Sequence, residues 1–272
     1  MAYAFEPGET VQAGVARVMG EQLDRIEAHL AERDVHNARK RIKEVRALLR
    51  MIREPLGVHF GIENAWYRDA ARDLSTARDA EAVRESLHKL EDAQGKQPGA
   101  RKLLGHRRRT NQRDLQGRVD NLLKQLPIAR ARIATWPILA DRFSAIGAGA
   151  ERTLRDGRAA FEHVLTAPSP ESFHELRKRV KDHWYHVQLL RKLWPDVLKG
   201  EATAIEELSD ALGDHHDLHL LELALGSEAP AEAIAKQRAD LEATALGAAR
   251  RLFSESPDAW RKRIRGYWRV TR

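Results

Sequence analysis

Residues 36–53 read HNARKRIKEVRALLRMIR, the densest basic segment of the chain. At 100° per residue, His36, Arg39, Lys40, Lys43, Arg46, Arg50 and Arg53 fall within one arc of a helix. Val35, Ala38, Ile42, Val45, Leu49 and Ile52 fall on a neighbouring arc. The spacing predicts a helix with one packed side and, beside it, a cationic stripe about 25 Å long. Adjacent like charges repel by about a few tenths of a kcal/mol per pair, so the row calls for acidic neighbours or an anionic ligand.

The stripe recurs. Residues 173–191 read FHELRKRVKDHWYHVQLLR, so HxxRKRxK stands twice, 138 residues apart. This offset sets His174 on His36, Arg177 on Arg39, Lys178 on Lys40, Arg179 on Arg41, Lys181 on Lys43 and Arg191 on Arg53. It also sets Leu212 on Leu74, Asp217 on Asp79, Leu241 on Leu103 and Arg251 on Arg113. We read an internal duplication. Packing alone would keep apolar positions across two copies, but it has no reason to keep a histidine and four cations on the exposed side. In the second copy Trp184 replaces Arg46 and Gln188 replaces Arg50, so its stripe is shorter.

HxxR with further Lys and Arg at helical spacing, twice in a helical chain and followed by LSTARD (74–79) and LGDHHD (212–217), resembles the CHAD family of conserved-histidine α-helical domains. The resemblance covers nearly the whole chain. It implies two helical-bundle halves about a pseudo-twofold axis, whose basic helices line a central channel or groove that binds inorganic polyphosphate. On that footing residues 1–136 and 137–272 are the two halves of a single CHAD-like domain. The polyphosphate-binding residues are then His36, Arg39, Lys40, Lys43, Arg46, Arg50 and Arg53 with His174, Arg177, Lys178, Lys181 and Arg191. Arg109, Arg113 and Arg251 are further contributors.

Composition agrees with an all-α fold. Helix formers dominate, aromatic content is 6%, and alternating runs suited to strands are scarce. The balance of 47 basic against 40 acidic residues gives a net charge of +7, which favours a polyanionic partner without identifying one. The chain has no cysteine, which excludes disulfides, thiolate catalysis and Cys-ligated zinc. No stretch approaches the roughly 20 apolar residues of a membrane span, and no secretory leader pattern opens the chain. We expect a cytoplasmic protein, associated with polyphosphate granules, with no membrane partner.

In chain order, Thr10 caps a helix to about Glu32, and Asp34 caps the basic helix, which Pro55 and Gly57 stop. A helix carrying Trp66, Tyr67, Ala70 and Leu74 follows, then one from about Asp79 to Leu90, then a long one from about Ala100 to Leu126. Pro127 and Pro137 bracket the end of the first half, and a helix from near Ile138 to about Leu165 opens the second. Ser169 or Ser172 caps the second basic helix, placing both His36 and His174 in first turns where unpaired backbone amides favour anions.

Asp214, His215, His216, Asp217 and His219 crowd together, and the i, i+4 pair His215/His219 has metal-ligand spacing. The first copy has Ala77, Arg78 and Glu81 at the three histidine positions, so we expect no metal. Asp79 and Asp217 are read instead as helix caps or partners of stripe cations. His183 falls on the apolar side and is expected to be buried, and Trp260, Tyr267 and Trp268 to pack. There is no Gly-rich phosphate loop, HExxH or nucleophile elbow, and the repeated motif offers cations without a carboxylate base. We therefore expect no catalysis, no catalytic residue and no cofactor. The alternative is sequence-independent nucleic-acid binding, and behind it a phosphohistidine or metal-dependent phosphate enzyme. Binding is expected to strengthen as pH falls from about 8 to 6, through His36 and His174.

Overall fold

A computed structural model describes residues 3–74, 79–97, 99–100, 112–137 and 142–271. Among these residues the fold is all-helical: α1 (Val11–Ala31), α2 (Val35–Met51), α3 (Arg53–Leu56), α4 (Val58–Asp73), α5 (Asp79–Gln94), α6 (Gln112–Ile133), α7 (Ser144–Thr166), α8 (Pro170–Leu190), α9 (Pro195–Leu225), α10 (Ala231–Leu252) and α11 (Pro257–Val270). No helix among the described residues is long and apolar enough to cross a membrane.

Local chemistry sets the boundaries. Thr10 caps α1 through the Ala13 amide, Asp34 caps α2 through the Asn37 amide (3.0 Å), and Ser169 with Ser172 forms a capping box on α8. The α1–α2 turn is so tight that Arg33 adopts φ 60°, a conformation a side chain tolerates at a cost of roughly 1 kcal/mol. Gly57, at φ 53°, separates α3 from α4.

Several boundaries differ from expectation. Pro55 lies inside the short α3 rather than in a turn, and α4 starts already at Val58. The helix expected to end near Leu126 runs to Ile133 with Pro127 inside it. Leu122, Leu126 and Ala129 are buried across the proline, and this apolar face against α1 outweighs the one missing hydrogen bond. Pro257 instead opens α11 at its first position. The helix expected from near Ile138 begins at Ser144, and residues 138–141 lie outside the described residues.

The basic helix α2 is central. α1, α4, α7 and α8 all pack on it. The predicted arc is buried except for the half-buried Val35, but Glu44, Ala47, Leu48 and Met51 are buried too, because four neighbours cover more than one face. Gly149 on α7 makes the closest of these approaches: a Cβ there would stand 2.6 Å from the Arg50 carbonyl oxygen and closer still to that of Met51. The segment before α1 also packs. Tyr3, Ala4 and Phe5 are buried, the Tyr3 hydroxyl donates to the Glu44 carbonyl (2.6 Å), and the Phe5 amide donates to the Leu189 carbonyl (2.8 Å), tying α2 and α8 together.

The pairings α1·α2, α2·α4 and α1·α6 have counterparts in α7·α8, α8·α9 and α7·α11. A second, smaller core joins α5 to the end of α9 and to α10 through Val83, Leu87, Leu90, Leu218, Leu221, Leu225 and Ile234.

Candidate polyanion site

The two basic helices meet. α8 packs directly on α2, and at the contact the buried His186 places Nε2 2.8 Å from the Ala47 carbonyl and Nδ1 3.0 Å from Thr153 Oγ1 of α7. A carbonyl can only accept, so Nε2 carries the proton and Nδ1 is left as an acceptor beside the Thr153 hydroxyl, which also lies 2.8 Å from the Ala150 carbonyl. Complete burial drives the His186 pKa down to about 3, so the ring stays neutral. Beside it Arg50 Nη1 of α2 lies 3.0 Å from Asp182 Oδ1 of α8, an ion pair between the helices.

Asp182 has a further partner in Arg179 Nη1 (3.3 Å), and Nε of the same arginine reaches Glu175 (3.1 Å). Burial raises the Asp182 pKa, while Arg50, Arg179 and Arg46 act in the opposite sense. Arg46 completes the group from α2, with Nε donating to Asn64 Oδ1 (3.2 Å). Burial first, then Arg50 and further arginines, push the Arg46 guanidinium down to about 10 despite Asp182. Two guanidinium groups from two helices thus meet on one buried carboxylate, with Arg46 close enough to feel the charges of all three.

A second cationic group lies along α8. Burial lowers the Lys181 pKa, Arg177 and Lys40 of α2 add to this, and Asp210 (3.9 Å) and Glu206 oppose it. Lys181 also sits 5.1 Å above the Trp184 ring, a cation–π contact that holds this stripe lysine in place. Arg177 rests against Gly213 of α9, where a Cβ would stand 3.4 Å from Nε.

The remaining stripe residues are spread along the helices. Arg39 donates to the Ala71 carbonyl of α4 (2.8 Å), and Lys43 is half-buried. Lys40 is exposed, as is Lys178, which pairs with Glu175. Arg53 falls in α3 and lies 4.9 Å over the Phe60 ring. Arg191, at the end of α8, donates to Gln188 (2.7 Å).

His36 is exposed in the first turn of α2, as expected. His174 is not in a first turn: Pro170, Glu171 and Ser172 lengthen α8, making it the fifth helical residue. Its ring stacks on His216 of α9 at 4.0 Å between centroids. Burial, then Lys178 and Arg177, lower the His174 pKa, and burial followed by His174 and Arg177 brings His216 to about 4.

Arg251 does not join the stripes. It is exposed on α10 and lines a groove of about 380 Å³ with Glu201, Glu255 and Arg263, none of them a stripe residue, because α10 packs on α9 and α5. Arg109 lies outside the described residues, as does the side chain of Arg113.

Around LGDHHD, His215 is buried, stacks on Phe173 (4.5 Å) and places Nε2 3.1 Å from Glu242, whereas His219 faces Glu222 (3.7 Å). Among the described residues no three His, Asp or Glu side chains converge on a metal-sized site. Asp217 is no helix cap, since α9 runs unbroken through it; it lines a small crevice beside Lys89 and Asp214, which are ion-paired at 2.8 Å. His183 is fully buried against Trp260, as expected, and Trp260 and Trp268 are core residues.

Acids stand within both basic segments. Glu44 and Asp182 stand 138 residues apart at equivalent positions, and each pairs with the arginine three residues before it, Arg41 (2.8 Å) and Arg179 (3.3 Å). An acid repeated inside a row of cations was a visible signal. Its burial was not visible, because the helical arc drawn from the apolar residues is narrower than the face that four neighbours cover.

A comparison with protein families matches residues 17–226 to the CHAD domain. No curated protein matches the chain.

Proposed function

We propose that this chain, which belongs to the CHAD domain family, binds inorganic polyphosphate along the cations of α2 and α8 without altering it chemically. The observation that carries the reading is the meeting of Arg50 from α2 and Arg179 from α8 on the buried Asp182, with the half-buried Arg46 in the same field. Even with Glu175 on Arg179 the cations outnumber the acids in a partly dehydrated place, and a phosphate supplies further negative charge with charge-assisted hydrogen bonds. Lys40, Arg177 and Lys181 continue the positive field, so a chain with a charge on every phosphate is held at many points.

We read the fold as two halves related by duplication, with the basic helices bordering a shared groove. Three features support this: the matching helix pairings, the repeated Arg41–Glu44 and Arg179–Asp182 pairs, and a second repeated pair. Glu63 binds Arg132 at 2.8 Å and the equivalent Glu201 binds Arg263 at 3.0 Å. The acids keep the 138-residue offset and the arginines lie 131 apart, as a short deletion between the blocks requires.

Binding without turnover is supported by the state of the motif carboxylates. In the free protein Glu44 and Asp182 are buried and ion-paired with arginines, a poor position for a base that must reach a water or phosphate. We place the protein in the cytoplasm, on polyphosphate granules.

The test is competition. Long polyphosphate should displace duplex DNA at equal phosphate concentration and bind far more tightly than orthophosphate, and the recovered polyphosphate should be unchanged in length. DNA that displaces polyphosphate would transfer the reading to nucleic acid, and phosphate release would replace binding by catalysis.

A further inference from the structure

We propose that Asp182 is a built-in competitor of the ligand, the resident anion that holds Arg50 and Arg179 until a phosphate takes its place. The proposal rests on the polyphosphate reading and concerns the regulation of that site.

The geometry is asymmetric between the two motif acids. Glu44 is gripped by one arginine of its own helix, with both carboxylate oxygens within 3.0 Å of Arg41 Nη1. Asp182 instead lies between two arginines from different helices, Arg50 Nη1 on Oδ1 at 3.0 Å and Arg179 Nη1 on Oδ2 at 3.3 Å. Oδ2 is buried and makes no hydrogen bond of good geometry. The mirror arrangement cannot form, because the counterpart of Arg50 is the neutral Gln188, which accepts from Arg191. One side of the molecule therefore has a carboxylate loosely placed between two arginines, and the other has a carboxylate firmly paired with one.

A tetrahedral phosphate between Arg50 and Arg179 offers more acceptor oxygens and more charge than Asp182, and it can also face Arg46. The two anions cannot share the space, since like charges at contact distance repel strongly in a low-dielectric site. Binding is then an exchange: the phosphate enters, Asp182 loses Arg50, and the direct ion pair between α2 and α8 opens. The acid lowers affinity for anions generally, and in the free protein it offsets the repulsion among the arginines.

The experiment compares the wild type with Asp182→Asn and, as a control, Glu162→Gln, an exposed acid on α7 paired with Arg158. Inorganic triphosphate and long polyphosphate are titrated into each at fixed salt. Asp182→Asn should bind triphosphate about tenfold more tightly, melt lower than the wild type without ligand, and show the larger rise in Tm when triphosphate is added. Glu162→Gln should leave affinity within about twofold. Equal or weaker binding by Asp182→Asn would show that the acid positions the arginines, and would overturn the proposal. Should the variant fail to fold even with triphosphate, the wild type decides: the 13Cγ resonance of Asp182 should move on saturation with triphosphate, and an unmoved resonance overturns the proposal. If neither protein binds any polyphosphate at low salt, the functional reading itself falls. If the wild type binds and the variant gains nothing, only the role of Asp182 falls.

Discussion

Gly149→Ala should be the most disruptive single methyl that the protein can receive near its site. The added Cβ would stand 2.6 Å from the Arg50 carbonyl oxygen and nearer to the Met51 carbonyl, both backbone atoms that no rotamer change can move. Relief requires α7 and α2 to separate by roughly an ångström, which forfeits a quarter to a half of each dispersion contact across the seam. Overpacking of this kind costs about 3 kcal/mol, which for a chain of this size lowers Tm by roughly 6 °C or more. Gly61→Ala is the matched control: it is a helical glycine in α4 with nothing within 4 Å of its built Cβ, so the same substitution should stabilise by up to about 1 kcal/mol. Thermal unfolding followed by circular dichroism reads both. Melting temperatures that shift in the same direction, or a Gly149→Ala protein within one degree of wild type, would refute the crossing.

Two further outcomes follow from the histidines. His183 and His186 have pKa values held near 3 by burial, below the ordinary 6.5, so the unfolded chain binds more protons than the folded one between those values. Their contribution is complete above about pH 6.5 and is lost as pH falls toward 3, at roughly 1.4 kcal/mol per pH unit for each ring. Because both His183 nitrogens are buried without a hydrogen bond, His183→Leu should stabilise the protein at pH 7 and remove about half of this acid slope in denaturant titrations. Polyphosphate affinity should gain from His174 mainly at a pH below its ordinary value, because burial and the neighbouring Lys178 and Arg177 hold that ring neutral; affinity measured from pH 8 to 5 in wild type and His174→Gln should diverge at the acid end.

The basic helix was legible because its apolar residues keep one period over five turns, and Asp34 and Ser169 mark both starts by ordinary capping chemistry. The recurrence of the basic motif was legible because charges on an exposed face have no packing reason to repeat. What escaped depends on neighbours. Nothing in YAF at residues 3–5 announces a segment pinned between helices, since its value lies in the Glu44 and Leu189 carbonyls it meets. Pro127 reads as a stop because its local cost is fixed, whereas the burial that overrides it belongs to α1. The Glu63–Arg132 and Glu201–Arg263 pairs were hidden by a change of offset between their acids and their arginines. The extra turn of α8 was hidden by counting from the repeated histidine and not from Pro170, which as a first helical residue was the signal available.

The central claim is that the α2 and α8 cations act as one row toward a phosphate chain, and the salt dependence of binding measures that row. Each phosphate neutralised releases counterions, so the slope of log affinity against log salt counts contacts. Replacing Arg39, Lys43, Arg177 and Lys181 by alanine should weaken binding of long polyphosphate steeply and flatten the slope by about 3. The same number of substitutions at Arg155, Arg158, Arg261 and Lys262, exposed or half-buried and ion-paired on α7 and α11, should leave the slope near that of the wild type. Equal losses of affinity and slope in the two variants would mean a diffuse basic surface and would contradict the account.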